Sequence, residues 1–585
     1  MINIKENPEL NVLNHSSAHL LAHAVKRLYP EAKFWVGPVI EDGFYYDMDL
    51  GDVKLTEDDL PKIESMMRKI AKEDKRITRI ELSKAEAMEE FKDDSYKLDI
   101  ISNLDENEPI SAYRQAEFID LCRGPHVETT KKMKYFKLLK VSGAYWKGDA
   151  NNKMLQRVYG ITFETQEDLD NYLNWLEEAK LRDHKKLGKE LGLFMMSEYG
   201  PGFPFWLPNG MKLRQALDAY YQQAHTRRGY VFTQTPTMLN KDLWEVSGHW
   251  QNYRENMYTS SIDDRDFAIK PMNCPGGMLV YKNDLHSYRD LPIRLAEMGT
   301  VHRHEASGAL NGLFRVRMFT QDDAHLFMTP AQLQDEIIEI LDFIEEIYSV
   351  FGLTYSIELS TRPEDKYIGS IEDWDRSEKI LEEACIAAGK EFKINPGDGA
   401  FYGPKLDFKV RDSLNRIWQC GTVQLDTNLP ERFDLTYVAE DGSKQRPIML
   451  HRAIFGSIER FIGILIEHFA GAFPLWLAPK QVEIIPVNTE FHMEYANEVK
   501  EILEAQGIRV SVDGRNEKLG YRLREAQMHK IPMQVIIGDK EIEERSVNVR
   551  RFGERAQNPF SLEDFVALVN EEVKSKYIHT INKEA

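Results

Sequence analysis

Between Arg294 and His325 apolar residues alternate with charged ones on either side of a polar, glycine-bearing middle, EASGALNG. A period of two on both sides predicts two antiparallel strands joined by a long loop. Nearer the N-terminus the period lengthens. HSSAHLLAHAVKRLY, with Asn14 as its N-cap, carries Leu20, Ala24 and Leu28 on one face before Pro30, which predicts a helix. FWVGPVIEDGFYYDMDL returns to alternation and turns at Asp42-Gly43, a hairpin signal. TQEDLDNYLNWLEEAKLRD predicts a charged amphipathic helix, with Leu169, Leu173, Leu176 and Ala179 on one stripe. A long helix is expected from Gly210 to Arg228, ended by Gly229. YVFTQTPTM follows as a strand whose Pro236 places it at a sheet edge or interface. SGHW and KPMNCPGG read as loops. Residues 398–428 read as strands with glycine turns, and PIMLHRAIFGSIERFIGILIEHF as a strand through His451 leading into a helix. That helix buries Ile458, Ile462, Leu465 and Phe469 and leaves Arg460 off the stripe. From Leu477 short β-branched strands alternate with helices, which predicts a small α/β domain with a largely parallel sheet.

A chain of 585 residues exceeds what one core supports. The pattern divides it into a mixed α/β unit at 1–164, a bridging helix at 165–183, an antiparallel-sheet unit at 184–476 and the α/β tail at 477–585. Its 42% hydrophobic and 29% charged residues are ordinary for a soluble protein. Four cysteines at no disulfide-framework spacing suggest a reducing compartment, and no uninterrupted apolar run spans a membrane. A cytoplasmic protein is expected. The net charge of −20 argues against broad nucleic-acid binding but leaves room for a local basic groove. Arg509 to Lys530, with Arg515, Lys518, Arg522 and Arg524 between them, is the stretch expected to meet phosphate.

The predicted hairpin carries Arg303, Glu305, Arg315 and Arg317, then Gln321, Asp323 and His325. Arginine forks suit phosphate oxygens and keep their charge. Cross-strand ion pairs on a surface hairpin are the alternative. On the first helix His15, His19 and His23 recur every fourth residue, and Cys122 and His126 stand four apart around a Gly-Pro turn. By composition His15, His19, Cys122 and His126 suggest zinc, though a metal-free hydrolytic site or satisfied histidines fit as well. Cys274 alone reads as a small buried apolar residue.

Three stretches resemble the signature motifs of class II aminoacyl-tRNA synthetases. GYVFTQTPTM is similar to motif 1, TVHRHE with FRVRMFTQDDAH to motif 2, and FGSIERFIGIL to motif 3. PMNCPGG, QDDAH, MLHRA, WQCGTVQLD, HSSAH and LCRGPH are similar to the threonyl-tRNA synthetase family in particular. The resemblance covers nearly the whole chain. It implies ATP-dependent attachment of threonine to a threonine tRNA, magnesium accompanying ATP, and a homodimer paired through motif 1 with Tyr220, Tyr221 and Phe232 as anchors. It assigns Arg303, Glu305, Arg315 and Arg460 to ATP. Cys274, His325 and His451 become ligands of an active-site zinc, with Gln321, Asp323, Tyr402, Lys405 and Gln419 around the pocket and His249 linked to transfer onto ribose. His15, His19, Cys122 and His126, with Lys97 and Asp120 beside them, become a metal-free site that hydrolyses mischarged Ser-tRNA. Glu541 and Arg550, flanking VNVRR beside the basic stretch, are the expected anticodon readers. The family commonly has a small domain ahead of HSSAH, so either a natural lack or a truncation is expected. An RNA-binding regulator would be expected to lose the phosphate arginines or zinc ligands, and a proline or serine synthetase to differ at the zinc set and the editing pairs.

Overall fold

The computed structural model describes residues 3–105, 109–365 and 367–581. The chain packs as two compact units, Met1–Glu178 and Ala179–Ala585. The division falls inside the helix Gln166–Arg182, a stretch expected to be helical. No separation sets the tail apart from the core, which share the second unit. Among the described residues no helix is long and apolar enough to cross a membrane.

The first unit is built on helix Pro8–Leu28, which starts seven residues earlier than Asn14 would place it. Asn7 is the cap: its side chain accepts the Glu9 and Leu10 amides, and Pro8 takes the first helical position, where a missing N–H costs nothing. Asn14 is buried mid-helix instead. It donates to the Leu10 and Thr162 carbonyls and accepts from the Thr162 amide, stitching the helix to a strand. The main sheet runs Lys33–Phe34, Gly43–Asp49, Met154–Phe163, Tyr135–Tyr145, with Val39–Ile40 pairing across the expected Asp42-Gly43 turn. A smaller sheet, Ile77–Leu82, Ile110–Gln115 and Phe118–Leu121, carries Asp120 and leads into Cys122.

The second unit centres on eight strands, numbered here along the core: β1 Val231–Phe232, β2 Ile293–His302, β3 Met318–Met328, β4 Thr354–Ser360, β5 Phe392–Asn395, β6 Lys405–Arg411, β7 Ile417–Asp426 and β8 Ile448–Ala453. Their order is β1-β2-β3-β8-β7-β6-β4-β5. Only the edge pairs β1·β2 and β4·β5 are parallel. Helices Pro208–Arg227, Leu333–Val350 and α2, Ile458–His468, contribute to one apolar core with Leu326, Leu450, Val423 and Phe408 of the sheet. Alternation then turns the residues between these, His325, His451 and Gln424, to the other face. Helix α1, Cys274–Lys282, replaces the expected loop at KPMNCPGG, because Pro275 sits within its first turn, where proline is tolerated. SGHW likewise straddles two short helices.

Two further expectations are corrected. The motif 1 strand pairs over only two residues, and Tyr220 and Tyr221 are 7% and 0% exposed inside their own subunit, so neither is a surface anchor. Phe232, at 44%, is exposed. The tail sheet, Val510–Val512, Val482–Pro486, Met533–Ile537, Ser546–Arg551, Gln557–Ser561, is half parallel and half antiparallel rather than largely parallel.

Candidate active site

Register assembles the site. His325 of β3 lies opposite His451 of β8, His451 opposite Gln424 of β7, and Gln424 opposite Lys405 of β6. One row across four strands therefore holds two imidazoles, an amide and an ammonium. Two residues back along β3, on the same face, lies Asp323, and two further Gln321. Cys274, at the head of α1, completes a set with His325 and His451 whose ligand atoms all lie within 4.8 Å of one another. Gly277 lets the helix approach, since a Cβ there would stand 3.1 Å from His325 Nδ1.

The electrostatics of this set favour a cation. Burial holds the His325 pKa well below its ordinary value, so that ring is neutral and free to ligate. Burial would lower His451 too, but the Cys274 sulfur and Asp426 raise it to about 10. Asp426 Oδ2 lies 2.8 Å from His451 Nε2, the carboxylate support typical of a metal-bound histidine. One soft sulfur and two imidazoles are donors that could hold a metal ion such as zinc.

Beside it opens a cavity of about 330 Å³ lined by Arg303, Glu305, Arg315, Gln321, Gln419 and Arg460, among others. Arg315 Nη2 is 2.9 Å from Glu305, so two of the three arginines face the cavity without a carboxylate partner among the described residues. Backbone contacts hold them: Arg303 Nε donates to the Pro271 carbonyl at 3.1 Å and Arg460 Nε to the Phe314 carbonyl at 3.1 Å. Gln321 Oε1 and Asn273 Oδ1 are buried with no hydrogen-bond partner, as expected of acceptors that a ligand completes.

The remaining expected pocket residues converge on the same place by different routes. Asp323 accepts from Asn273 Nδ2 at 2.7 Å, and burial raises its pKa. The Tyr402 ring lies 5.3 Å from that of His451 while its hydroxyl donates to Gln424. Lys405 is bonded to Asp407 at 2.8 Å, and Asp407 also accepts from Gln419 at 2.7 Å. His249 is buried with Nε2 3.1 Å from Met272 sulfur, and burial, then His451 and Arg303, bring its pKa down to about 4. Sequence reasoning missed Asn273, Asp426 and Glu297. Glu297 is buried against Lys270 at 2.9 Å and takes the Thr235 amide. Glu297 and Asp426 were marked only by alternation, which gives a face and not a partner, and Asn273, in a stretch of loop composition, carried no signal.

The second cluster is equally compact. His15, His19, Lys97, Asp120 and Cys122 line a cavity of about 650 Å³ in the first unit. Cys122 Sγ lies 3.2 Å from His15 Nε2 and 3.1 Å from His126 Nε2. Ser16 donates to the Val12 carbonyl, so its 3.1 Å contact to His126 Nδ1 requires the ring to be the donor there. His126 Nε2 is then an acceptor facing the thiol. Burial pushes Cys122 up to about 12 and His126 down to about 2, leaving a neutral thiol and a neutral ring. Lys97 Nζ is 2.5 Å from Asp120, which also accepts from the Tyr46 hydroxyl. His23, on the same helix face, turns away to Glu117 and Gln115.

Three arginines of the basic stretch expected to meet phosphate are committed within the tail. Arg509 donates to the Ala478 and Trp476 carbonyls, Arg515 pairs with Asp513 and Glu525, and Arg522 is buried on the Asp513 and Pro486 carbonyls. Glu541 accepts the Gly538 amide and Arg550 donates to the Glu554 carbonyl, both half-buried.

An antiparallel sheet joining an arginine-lined cavity to a Cys-His-His set, followed by an α/β tail, is the frame of a class II aminoacyl-tRNA synthetase. The family described as tRNA synthetase class II core domain (G, H, P, S and T) matches residues 258–469. An anticodon binding domain matches 481–572, and the threonyl and alanyl tRNA synthetase second additional domain matches 110–159. Within that class the chain belongs to the threonine–tRNA ligase family. It is 56% identical to the threonine–tRNA ligase of Clostridioides difficile over 98% of this chain and 89% of the relative. With that of Fusobacterium nucleatum it is 57% identical over 97% and 92%. Among solved structures, the RNA binding domain of threonyl-tRNA synthetase from Cryptosporidium parvum superposes with a TM-score of 0.65 at 40% identity, covering 66% of this chain and 98% of that one.

Proposed function

We propose that this protein joins threonine to a threonine tRNA through threonyl-adenylate and hydrolyses Ser-tRNA made in error. The observation that carries the reading is the register row: it sets a Cys-His-His donor set beside a cavity whose free charges are arginines. In the first step the threonine carboxylate attacks the ATP α-phosphate and pyrophosphate leaves; in the second the tRNA ribose hydroxyl displaces AMP. Arg303 holds the α-phosphate and stabilises the charge that develops on it, Glu305 lies by the adenine, Arg315 meets the γ-phosphate, and Arg460 is the motif 3 arginine of the same ATP site. Magnesium accompanies the nucleotide. Cys274, His325 and His451 would hold a zinc, which when bound would supply a Lewis acid for the threonine amino and hydroxyl groups. Asp323, Tyr402 and Gln321 line the same pocket, and valine leaves its polar groups unmet. His249, neutral beside the zinc set, serves transfer to the ribose.

Serine lacks only a methyl, which discriminates by about 1–3 kcal/mol, so a second site is needed. The cavity of His15, His19 and Cys122 is that site, working without metal: its neutral histidines position a water against the ester, and Lys97, Asp120 and His126 hold them in place. On this reading the domains are an editing domain at 1–164, a linker at 165–183, the catalytic domain at 184–476 and an anticodon-binding domain at 477–585, with Glu541 and Arg550 near the anticodon. The working form is a cytoplasmic homodimer. ATP–pyrophosphate exchange across a panel of amino acids tests the reading: threonine strongly and serine weakly should support exchange. Exchange driven best by proline, or by none, would overturn it.

A further inference from the structure

Between the linker helix and the core, Asp183 caps the short helix His184–Glu190 by accepting the Lys185 and Lys186 amides. His184 is thereby fixed at its first position, 1% exposed. Its Nδ1 lies 2.7 Å from Glu467 Oε1 near the end of α2, and the same oxygen accepts its backbone amide at 2.9 Å. Across the ring, Nε2 accepts the Leu313 amide at 3.0 Å. A nitrogen that accepts from a backbone N–H carries no proton, so the proton resides on Nδ1 and points at Glu467. Both ring nitrogens are thus committed, one to the motif 3 helix and one to the motif 2 loop.

The loop comes unusually close. Gly312 has φ +48°, and a Cβ there would stand 2.1 Å from His184 Nε2, so only glycine brings Leu313 onto the ring. The next residue, Phe314, packs its ring 4.0 Å from the imidazole, lines the arginine cavity and offers the carbonyl that holds Arg460 Nε. At the other end Glu467 is 2% exposed and steadied by Arg416 at 2.5 Å, itself bonded to Asp412. His184 does not line the cavity. It touches the residue before Phe314 and the helix that bears Arg460.

We propose that His184 is a positioning residue for the nucleotide: a neutral, single-tautomer strut that fixes Leu313-Phe314 against α2, and through the Phe314 carbonyl sets the Arg460 guanidinium in the ATP cavity. This rests on the synthetase reading above. The strut acts on the arginine cavity and not on the Cys-His-His set, so its loss should weaken ATP and spare threonine.

The test is threonine-dependent ATP–pyrophosphate exchange by the full chain, with KM measured for each substrate in His184→Phe and His184→Gln. Phenylalanine keeps the ring packing on Phe314 and removes both hydrogen bonds; glutamine can place an acceptor near the Leu313 amide. His184→Phe should raise the KM for ATP about tenfold and leave the KM for threonine, the zinc content and Ser-tRNA deacylation within about twofold. His184→Gln should recover most of the loss. An unchanged KM for ATP in the phenylalanine variant would overturn the proposal. So would a parallel rise in both KM values together with a fall in Tm, which is what lost packing alone produces. If His184→Phe does not fold, His184→Asn replaces it: its acceptor falls short of Leu313, so equal KM values for ATP in the asparagine and glutamine variants would overturn the proposal. Wild-type protein without threonine-dependent exchange would overturn this and the functional reading together, whereas normal wild-type exchange with unaffected variants would remove the strut alone.

Discussion

Cys122 and Cys274 carry the same thiol into opposite surroundings. Cys122 is held as a thiol by burial, between two neutral rings. Cys274 lies against His451, a ring that it and Asp426 raise to about 10. Cys274→Ser is therefore expected to lose bound zinc, about one per subunit in the wild type, together with threonine activation. The circular dichroism of the folded chain should persist, because β2, β3 and β8 are held by their own ladders; metal analysis and exchange assays on one preparation decide it. Arg303→Ala or Arg460→Ala removes a donor from the phosphate, and a loss of about 3 kcal/mol, roughly a hundredfold in exchange rate, is expected. In the other cavity, His15→Ala with His19→Ala should leave exchange unchanged while deacylation of purified Ser-tRNA fails. A chelator should not slow the wild-type hydrolysis; chelator sensitivity would return zinc to that cluster.

At the scale of elements, strand register does what no single residue can. Shifting β3 by one residue against β8 would turn His325 to the apolar face and dissolve the Cys-His-His set. The β2–β3 pairing is equally exacting at Gly299, where a Cβ would stand 2.2 Å from Asn273 Oδ1. Gly299→Ala is expected to push Asn273 off Asp323, breaking their 2.7 Å bond. The KM for threonine should rise about tenfold while that for ATP holds, as exchange titrated with each substrate would reveal. The same reasoning explains two elements misjudged from sequence. Asn14 looks like a cap locally, but Pro8 can occupy a first turn that Asn7 satisfies, and the helix extends back to it. KPMNCPGG has loop composition, yet packing against β3 makes its second half the start of α1.

Over the whole molecule the exposed edge matters most. β1 presents Val231 and Phe232 at 54% and 44%, with Met238 at 44% a few residues on, a run of apolar side chains along one edge. A dimer by light scattering at micromolar concentration is expected, and Phe232→Glu should shift it toward monomer. A wild-type monomer would remove motif 1 as the pairing surface.

Much of this protein is legible in its sequence. The hairpin at 293–328, the strand-to-helix passage through His451, the helix at 166–182 and the pairing of His15 and His19 with Cys122 and His126 follow from periodicity and from residue types whose chemistry is narrow, whereas Cys274, His325 and His451 are joined only by the family resemblance. Periodicity is a local property of the backbone, so a strand announces its two faces wherever it lies. Which face is buried, and what stands opposite, depends on residues far along the chain. His325 meets His451 across 126 positions through pairing alone. Tyr221 vanishes into the core, Arg509 and Arg522 turn inward to backbone carbonyls, and His184, at the head of a short lysine-rich helix, closes on Glu467 and Leu313. The sequence by itself determined which groups could do chemistry here; the tertiary structure decided which of them meet, because hydrogen bonds and burial are settled between elements and not within them.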